Sequence, residues 1–210
     1  MNILYPAYFP NIAFFTVFVQ SDEIVWEVQG NYQKQTFRNR TYICNDRGKH
    51  ILSIPITHVG QSNGKQLNRE VKIDNSYPWQ RQHWRTLETA YRTSPFFEFY
   101  EDDIQPLYGT KFEYLMDFNL KTIEIICECL QLRMPTAKTE VFTLGHESEL
   151  DYRHLVSVKN VIDLVQTDYV QVFGDRHGFT PNLSILDLLF NLGPQATAYL
   201  QETKLMLRNA

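Results

Sequence analysis

A chain of 210 residues with 43% hydrophobic and 21% charged side chains can bury a core without metal or disulfide staples. That balance excludes a disordered or low-complexity chain, and a net charge of −4 argues against nonspecific nucleic-acid binding. Aromatic residues are abundant (14 Phe, 12 Tyr and 3 Trp), and many stand beside polar ones. The three cysteines, Cys44, Cys127 and Cys129, are odd in number and two lie at i,i+2, so they read as buried free thiols. The longest apolar run, residues 12–19, is far short of the ~20 residues that a membrane-spanning helix needs. No basic residue precedes Lys34, so this run lacks the charged flank of a signal peptide, and a cytoplasmic protein without membrane insertion is expected.

Residues 2–5 read as a short strand that stops at Pro-Ala-Tyr-Phe-Pro, residues 6–10, where two prolines hold a rigid aromatic loop. Asn11 is placed to cap an apolar helix over 12–20, and residues 23–29 alternate as a strand. Strand, helix and strand in about 30 residues make a βαβ unit, whose binding crevice lies at the carboxyl ends of its strands. The 6–10 loop is expected at that crevice. Residues 41–44 and 50–56 flank a turn rich in Asn, Asp and Gly, which is a hairpin pattern. Residues 60–68 read as a polar loop and 70–74 as an edge strand.

From Trp79 the periodicity becomes helical: Trp84, Leu87 and Tyr91 share one face, and Arg81, Arg85, Glu88 and Arg92 share another. Ser94-Pro95 ends that helix, a short aromatic one follows over 96–100, and a long one is predicted over 111–132. Strands are predicted over 141–144 and 168–173, with a charged loop over 145–153. Asn182 or Ser184 then starts a helix over 185–190 that Gly193 stops, and Pro194 opens the last helix. The expected fold is α/β in one domain over 1–210, with an N-terminal βαβ unit and a β-hairpin insert over 31–74. A parallel or mixed central sheet and a helical C-terminal half complete it, with a helical segment over 79–132 and a strand–loop–helix part over 136–210.

No glycine-rich phosphate loop, GxSxG, HExxH or zinc-finger spacing occurs, so no metal site is expected and no motif names a cofactor. Three polar–aromatic clusters remain. Lys34, Arg38 and Arg40 put three cations into seven residues without an acid. On a strand Arg38 and Arg40 would share a face and could hold a phosphate or carboxylate; a solvated strand face is the plainer reading. The second cluster holds Trp79, His83, Trp84 and Arg85. Trp faces suit sugars or bases, and His83, of the one side-chain type that titrates unperturbed near neutral pH, could act as a general base; otherwise these are core residues. The third is the loop around Asp175 and His177, bracketed by Gly174 and Gly178, which reads equally as a charged turn. His50, His58, His146 and His154 are isolated and read as structural or solvated.

These segments resemble the WbqC-like protein family, in particular variants with a long tryptophan–histidine segment. The residues that carry the likeness are Pro-Ala-Tyr-Phe-Pro at 6–10, Asn-Tyr-Gln-Lys-Gln at 31–35 and Arg-Asn-Arg at 38–40. Trp-Gln-Arg-Gln-His-Trp-Arg at 79–85, Ala90-Tyr91, Ser-Pro-Phe-Phe-Glu at 94–98 and the stretch 179–191 follow in order. The resemblance implies a place in bacterial surface-polysaccharide (O-antigen) synthesis and an amino-acid transferase role, such as glycine onto a sugar. One departure is plain: many relatives begin with His-Gln-Pro, where this chain has Leu4-Tyr5-Pro6. The strand–loop–helix start is also similar to that of the nucleotidyltransferase-like HIGH superfamily, in which a loop histidine holds phosphates; that likeness is one of fold.

Three readings follow. In the first, a transferase takes a phosphate-bearing sugar or an acyl donor held by Lys34, Arg38, Asn39, Arg40 and Arg85, close to Asp175. Tyr8, Trp79 or Trp84 would stack on it, and His83 or His177 would deprotonate the acceptor. In the second, the chain is a non-catalytic module that binds a glycan or a partner enzyme. The third, a Mg²⁺-dependent nucleotidyltransferase, ranks last because residues 4–10 supply no phosphate-binding His or Lys.

Overall fold

The computed structural model describes residues 1–57, 66–143, 151–160 and 162–206. His58, His146, Leu144, most of loop 60–68 and most of loop 145–153 lie outside them. β1 (Asn2–Leu4) and β2 (Ile24–Trp26) pair in parallel around α1 (Ile12–Val19), in register from Asn2↔Ile24 to Leu4↔Trp26, so the βαβ unit is present. Asn11 caps α1 as expected, its side-chain oxygen accepting from the Phe14 N–H at 3.0 Å. Residues 12–18 of α1 are all buried, which explains a helix that is apolar on every side.

The larger parallel or mixed central sheet is not formed among the described residues, which hold three two-stranded sheets. Single parallel bridges, Ile3↔Asp151 and Trp26↔Lys138, flank β1 and β2 and go no further. Each bridge is closed by backbone bonds, the Trp26 N–H to the Ala137 carbonyl and the Thr139 N–H to the Trp26 carbonyl beside β2, and the Tyr152 N–H to the Ile3 carbonyl beside β1. The hairpin is as expected, with β3 (Arg40–Asn45) antiparallel to β4 (Gly48–Ser53) and Gly48 at φ 97° in the turn. The expected edge strand over 70–74 is reduced to isolated bridges, Lys72↔Tyr114 and Ile56↔Ile73.

α2 (Trp79–Tyr91) buries Trp79, His83, Trp84, Leu87, Ala90 and Tyr91 and turns Arg81 and Arg85 to solvent. α3 (Phe97–Gly109) runs beyond the short helix expected there. Pro106 lies on the exposed face of the last turns, as does Asp102 one turn before it, so the i to i−4 bond that proline cannot make is lost at the surface and not in the core. α4 (Leu115–Cys129) is shorter than predicted. Glu113 and Tyr114 are drawn into bridging contacts with Ile73 and Lys72, and Gln131 at φ 55° closes the other end.

Two expected strands are absent. Residues 141–143 form none. Residues 168–173 keep a two-residue alternation but have no ladder partner, since their inward side chains serve a buried carboxylate. Tyr169 Oη and Gln171 Nε2 donate to Asp187 at 2.6 and 3.0 Å, while Val170 between them is 87% exposed. The strand in this region is β5 (Asp163–Val165), antiparallel to β6 (Lys204–Met206). α5 (Gly174–His177), α6 (Ile185–Leu192) and α7 (Ala196–Glu202) complete the chain. Ser184 is the cap of α6, accepting from the Leu186 N–H at 3.3 Å. Pro194 stands in a short 3-10 turn over Gly193–Gln195 that leads into α7.

The core runs from α1 and β2 through α2 and α4 to α6, with the aromatic rings of Phe14, Trp26, Tyr91, Phe97 and Phe190 inside it. No helix among the described residues is long and apolar enough to cross a membrane. Gly193 sits at φ 53°, and a Cβ there would lie 2.5 Å from Phe96 Cδ1. Gly193→Ala is therefore expected to cost about 1–3 kcal/mol, read as a fall of several degrees in Tm by thermal denaturation. A Tm unchanged by the substitution would show that α6 and Phe96 separate freely.

Candidate functional site

The carboxyl ends of the parallel strands carry the polar cluster of greatest consequence. Tyr5 follows β1 and Glu27 follows β2, and both are buried. Glu27 takes a 2.7 Å bond from the Gln29 N–H, a 2.9 Å bond from Thr139 Oγ1 and an ion pair from Arg153 Nη1 at 3.2 Å. Arg153 in turn grips Asp151, Nη2 to Oδ2 at 2.6 Å, and this pairing holds its guanidinium above its usual range.

Arg38 reaches the same place from the segment before β3. It is 1% exposed, its guanidinium carbon lies 3.9 Å from the centre of the Tyr5 ring, and its Nη1 meets Thr36 Oγ1 at 3.4 Å. Among the described residues no carboxylate forms an ion pair with it; Glu27, which accepts from Gln29, Thr139 and Arg153, acts on it only through space. Burial accordingly lowers its pKa, against the opposing pull of Tyr5, Tyr32 and Glu27. Three consecutive residues each carry a buried polar atom without a hydrogen-bond partner: Arg38 Nε, Asn39 Oδ1 and Arg40 Nε. Tyr32 feels the charge of both arginines. Tyr5 approaches Gly30 so closely that a Cβ there would sit 2.2 Å from its hydroxyl, so a glycine is required at that position.

The second cluster meets the first at the base of the hairpin. His83 Nδ1 lies 3.0 Å from Tyr8 Oη, which lies 2.7 Å from Tyr108 Oη. Its ring also bonds the backbone of Ser53, the residue paired with Arg40. His83 is 6% exposed, and burial drops its pKa to about 4, so the imidazole is neutral at pH 7. A neutral ring whose N–H is given to Ser53 accepts from Tyr8 at Nδ1, and Tyr8 then accepts from Tyr108. The faces of Tyr8, Trp79 and Trp84 are covered by one another's neighbours: Tyr8 by His83 and Phe118, Trp79 by His83 and Phe118, Trp84 by Phe97 and Tyr108.

The third cluster stays apart. Asp175 and His177 are exposed on α5, and His177 Nε2 lies 3.2 Å from the Asp46 carbonyl in the β3–β4 turn. Five residues of strand separate that turn from Arg40, roughly 17 Å at the usual rise per residue. Lys34 and Arg85 are exposed. Sequence reasoning missed Glu27 and Arg153 as site residues, and it noted Tyr5 only for departing from the family pattern. The visible signal of Tyr5 and Glu27 was position alone, as the first residues beyond two parallel strands, while Arg153, at the start of a 3-10 turn over Arg153–Val156, carried none. No group of His, Cys, Asp and Glu among the described residues is arranged to hold a metal ion.

The model of the WbqC-like protein family matches residues 5–170. The chain belongs to that family. The matched span of this WbqC-like protein contains Tyr5, Glu27, Arg38, Arg40, His83 and Arg153, whereas Asp175, His177 and the stretch 179–191 fall beyond it. It is also similar to the "Uncharacterized protein Rv1507c" of Mycobacterium tuberculosis (strain ATCC 25618 / H37Rv), 27% identical over 223 residues, covering 92% of this chain and 91% of that one. No solved structure matches.

The enclosure of His83 sets a pH dependence. Unfolded histidine takes up a proton near pH 6.5, whereas the buried ring does so only near pH 4. The unfolded state thus binds more protons between these values. The contribution of His83 is full above about pH 6.5 and is lost as pH falls toward 4, by up to about 3 kcal/mol. Urea midpoints should fall between pH 7 and pH 5, and His83→Gln should flatten the difference. An NMR titration showing His83 protonated near pH 6.5 would overturn this account.

Proposed function

We propose that this WbqC-like protein is a transferase acting on an activated donor, a phosphate-bearing sugar or an acyl or aminoacyl phosphate. The anionic group of the donor is held by Arg38 and Arg40 beside Tyr5. One observation carries the reading: a guanidinium buried at the carboxyl ends of β1 and β2 without a carboxylate partner among the described residues. An uncompensated buried cation costs several kcal/mol, and a bound anion offsets that cost. Arg38 supplies planar donors to phosphate oxygens and stabilises the charge that develops as the leaving group departs. Glu27 and Asp151 hold Arg153 at the flank of the site, and since these three groups sum to one negative charge, the anion-binding potential comes from Arg38 and Arg40. His83 acts as a positioning residue that orders Tyr8 beneath the site. The setting in bacterial surface-polysaccharide (O-antigen) synthesis rests on the resemblance of the family.

A second reading, a non-catalytic glycan- or partner-binding module, is favoured by one feature: the imidazole of His83 is enclosed with both nitrogens engaged. The two readings share the anion site and differ in turnover.

The test is a thermal-shift series with nucleotide-sugars, sugar phosphates and acyl phosphates, with and without Mg²⁺. A ligand at 100 times its Kd adds about 2.7 kcal/mol, which at this chain length moves Tm by several degrees. Arg38→Met is expected to abolish that shift while raising the Tm of the free protein, because it replaces an unpaired buried charge with a side chain of similar length. Loss of free-protein stability together with a retained ligand shift would mark Arg38 as structural and end the proposal. Release of phosphate or nucleotide on adding an amine or hydroxyl acceptor separates the transferase from the module.

A further inference from the structure

A cavity of about 290 Å³ opens beside the β3–β4 hairpin and shares no lining residue with the Arg38 cluster. Its walls among the described residues come from five places: Phe37 before β3, Tyr42 on β3, Lys49 on β4, the segment holding Asn160, and the segment holding Asn182. Phe37 and Tyr42 meet edge to face, with centroids 5.8 Å apart at 81°, and form an apolar corner. Cys44 is paired with Lys49 and Tyr42 with Ile51, so Lys49 is the diagonal neighbour of Tyr42 on one face of the hairpin. Its Nζ lies 4.7 Å from the centre of the Tyr42 ring, and no carboxylate among the described residues pairs with it.

Asn182 adds a polarised amide. It stands at φ 52°, a left-handed conformation that asparagine tolerates and that recurs at ligand clamps. Its Oδ1 accepts from the Ala13 N–H in the first turn of α1 at 2.9 Å. The positive end of α1 therefore draws charge toward the oxygen and makes the Nδ2 hydrogens better donors. Asn160 donates to the His154 carbonyl at 3.4 Å, which leaves its own side-chain oxygen to accept. An apolar corner, an amide donor, an amide acceptor and an ammonium suit a ligand with a C–H face, several hydroxyls and one negative charge. The volume is near the lower end for small-molecule pockets, about 300 Å³, which limits the ligand to one sugar ring.

We propose that this cavity binds a single carboxylated pyranose, a uronic-acid sugar, with its ring on Phe37 and Tyr42, its hydroxyls at Asn160 and Asn182, and its carboxylate at Lys49 Nζ. Lys49 is exposed as a residue, but partial desolvation of its amine lowers the pKa.

Titration of the full chain at pH 7 with glucuronate, glucose and glucose 6-phosphate, followed by amide NMR, tests this. Glucuronate should bind with a Kd of about 1–10 mM and shift the amides of Phe37, Tyr42, Lys49 and Asn182, with glucose at least about fivefold weaker. Lys49→Gln, an exposed position, should bring glucuronate to the level of glucose, and Tyr42→Ala should weaken both. Glucose 6-phosphate binding as well as glucuronate would show a general anion site and overturn the carboxylate assignment. Equal affinity for glucuronate and glucose, or no shift at these amides, would overturn the proposal. So would glucuronate binding that survives Lys49→Gln but is lost in Arg38→Met, which would place the sugar in the other site. Binding kept in Arg38→Met and lost in Lys49→Gln supports this cavity whatever the fate of the donor reading.

Discussion

A buried loop must find partners for its backbone polar groups, and the loop over residues 6–10 meets this demand at the centre of the molecule. The Phe9 carbonyl accepts from Thr41 Oγ1 at 2.9 Å and from Ser184 Oγ at 3.0 Å. The Pro10 carbonyl accepts the Ile185 N–H, the Pro6 carbonyl accepts Asn119 Nδ2, and the Tyr8 N–H donates to the Phe37 carbonyl. Hairpin, α4, α6 and the segment carrying Arg38 are therefore tied to one pentapeptide. Phe9 bears the strain of this arrangement at φ 35°. Pro6 and Pro10 narrow the alternatives open to the unfolded loop, which lessens the entropy lost in fixing it.

The same loop explains why the polar cluster lies where it does. Asn119 Nδ2 bonds the carbonyls of both Pro6 and Arg38, so α4 fixes the loop and the arginine segment with one side chain. The Tyr108–Tyr8–His83 chain supports the loop from below through neutral hydrogen bonds, which need no counter-charge in the interior. Apart from the Asp187 carboxylate on α6, the buried charges among the described residues gather at the carboxyl ends of β1 and β2, where Glu27, Arg153 and Asp151 neutralise one another in part and Arg38 stands outside the pairing.

Much of the local structure was legible. Asn11 as a cap, the Asn-Asp-Arg-Gly turn, the inward face of α2 and the stop at Gly193 each follow from short-range chemistry that a sequence displays. Failures came where distant partners decide. Residues 168–173 alternate like a strand because Tyr169 and Gln171 serve Asp187, and nothing in the segment names that carboxylate. The cationic Arg38–Arg40 stretch was visible in the sequence. That one member would be buried, stacked on Tyr5 and left outside the Glu27 pairing depends on residues 11 and 33 positions earlier in the chain.

The bond from Ser184 to the Phe9 carbonyl joins residues 175 positions apart. Contacts of such separation slow folding, since a long loop must close before they reward it. On a ribosome adding about 5–20 residues per second, the loop waits roughly ten to thirty-five seconds for the partner that completes its hydrogen bonds. During that interval α1, apolar on every side, is already made while α6 and α7 are not. The architecture that holds the N-terminal loop so firmly in the finished protein thus leaves the nascent chain with an apolar segment uncovered until its last helices are made.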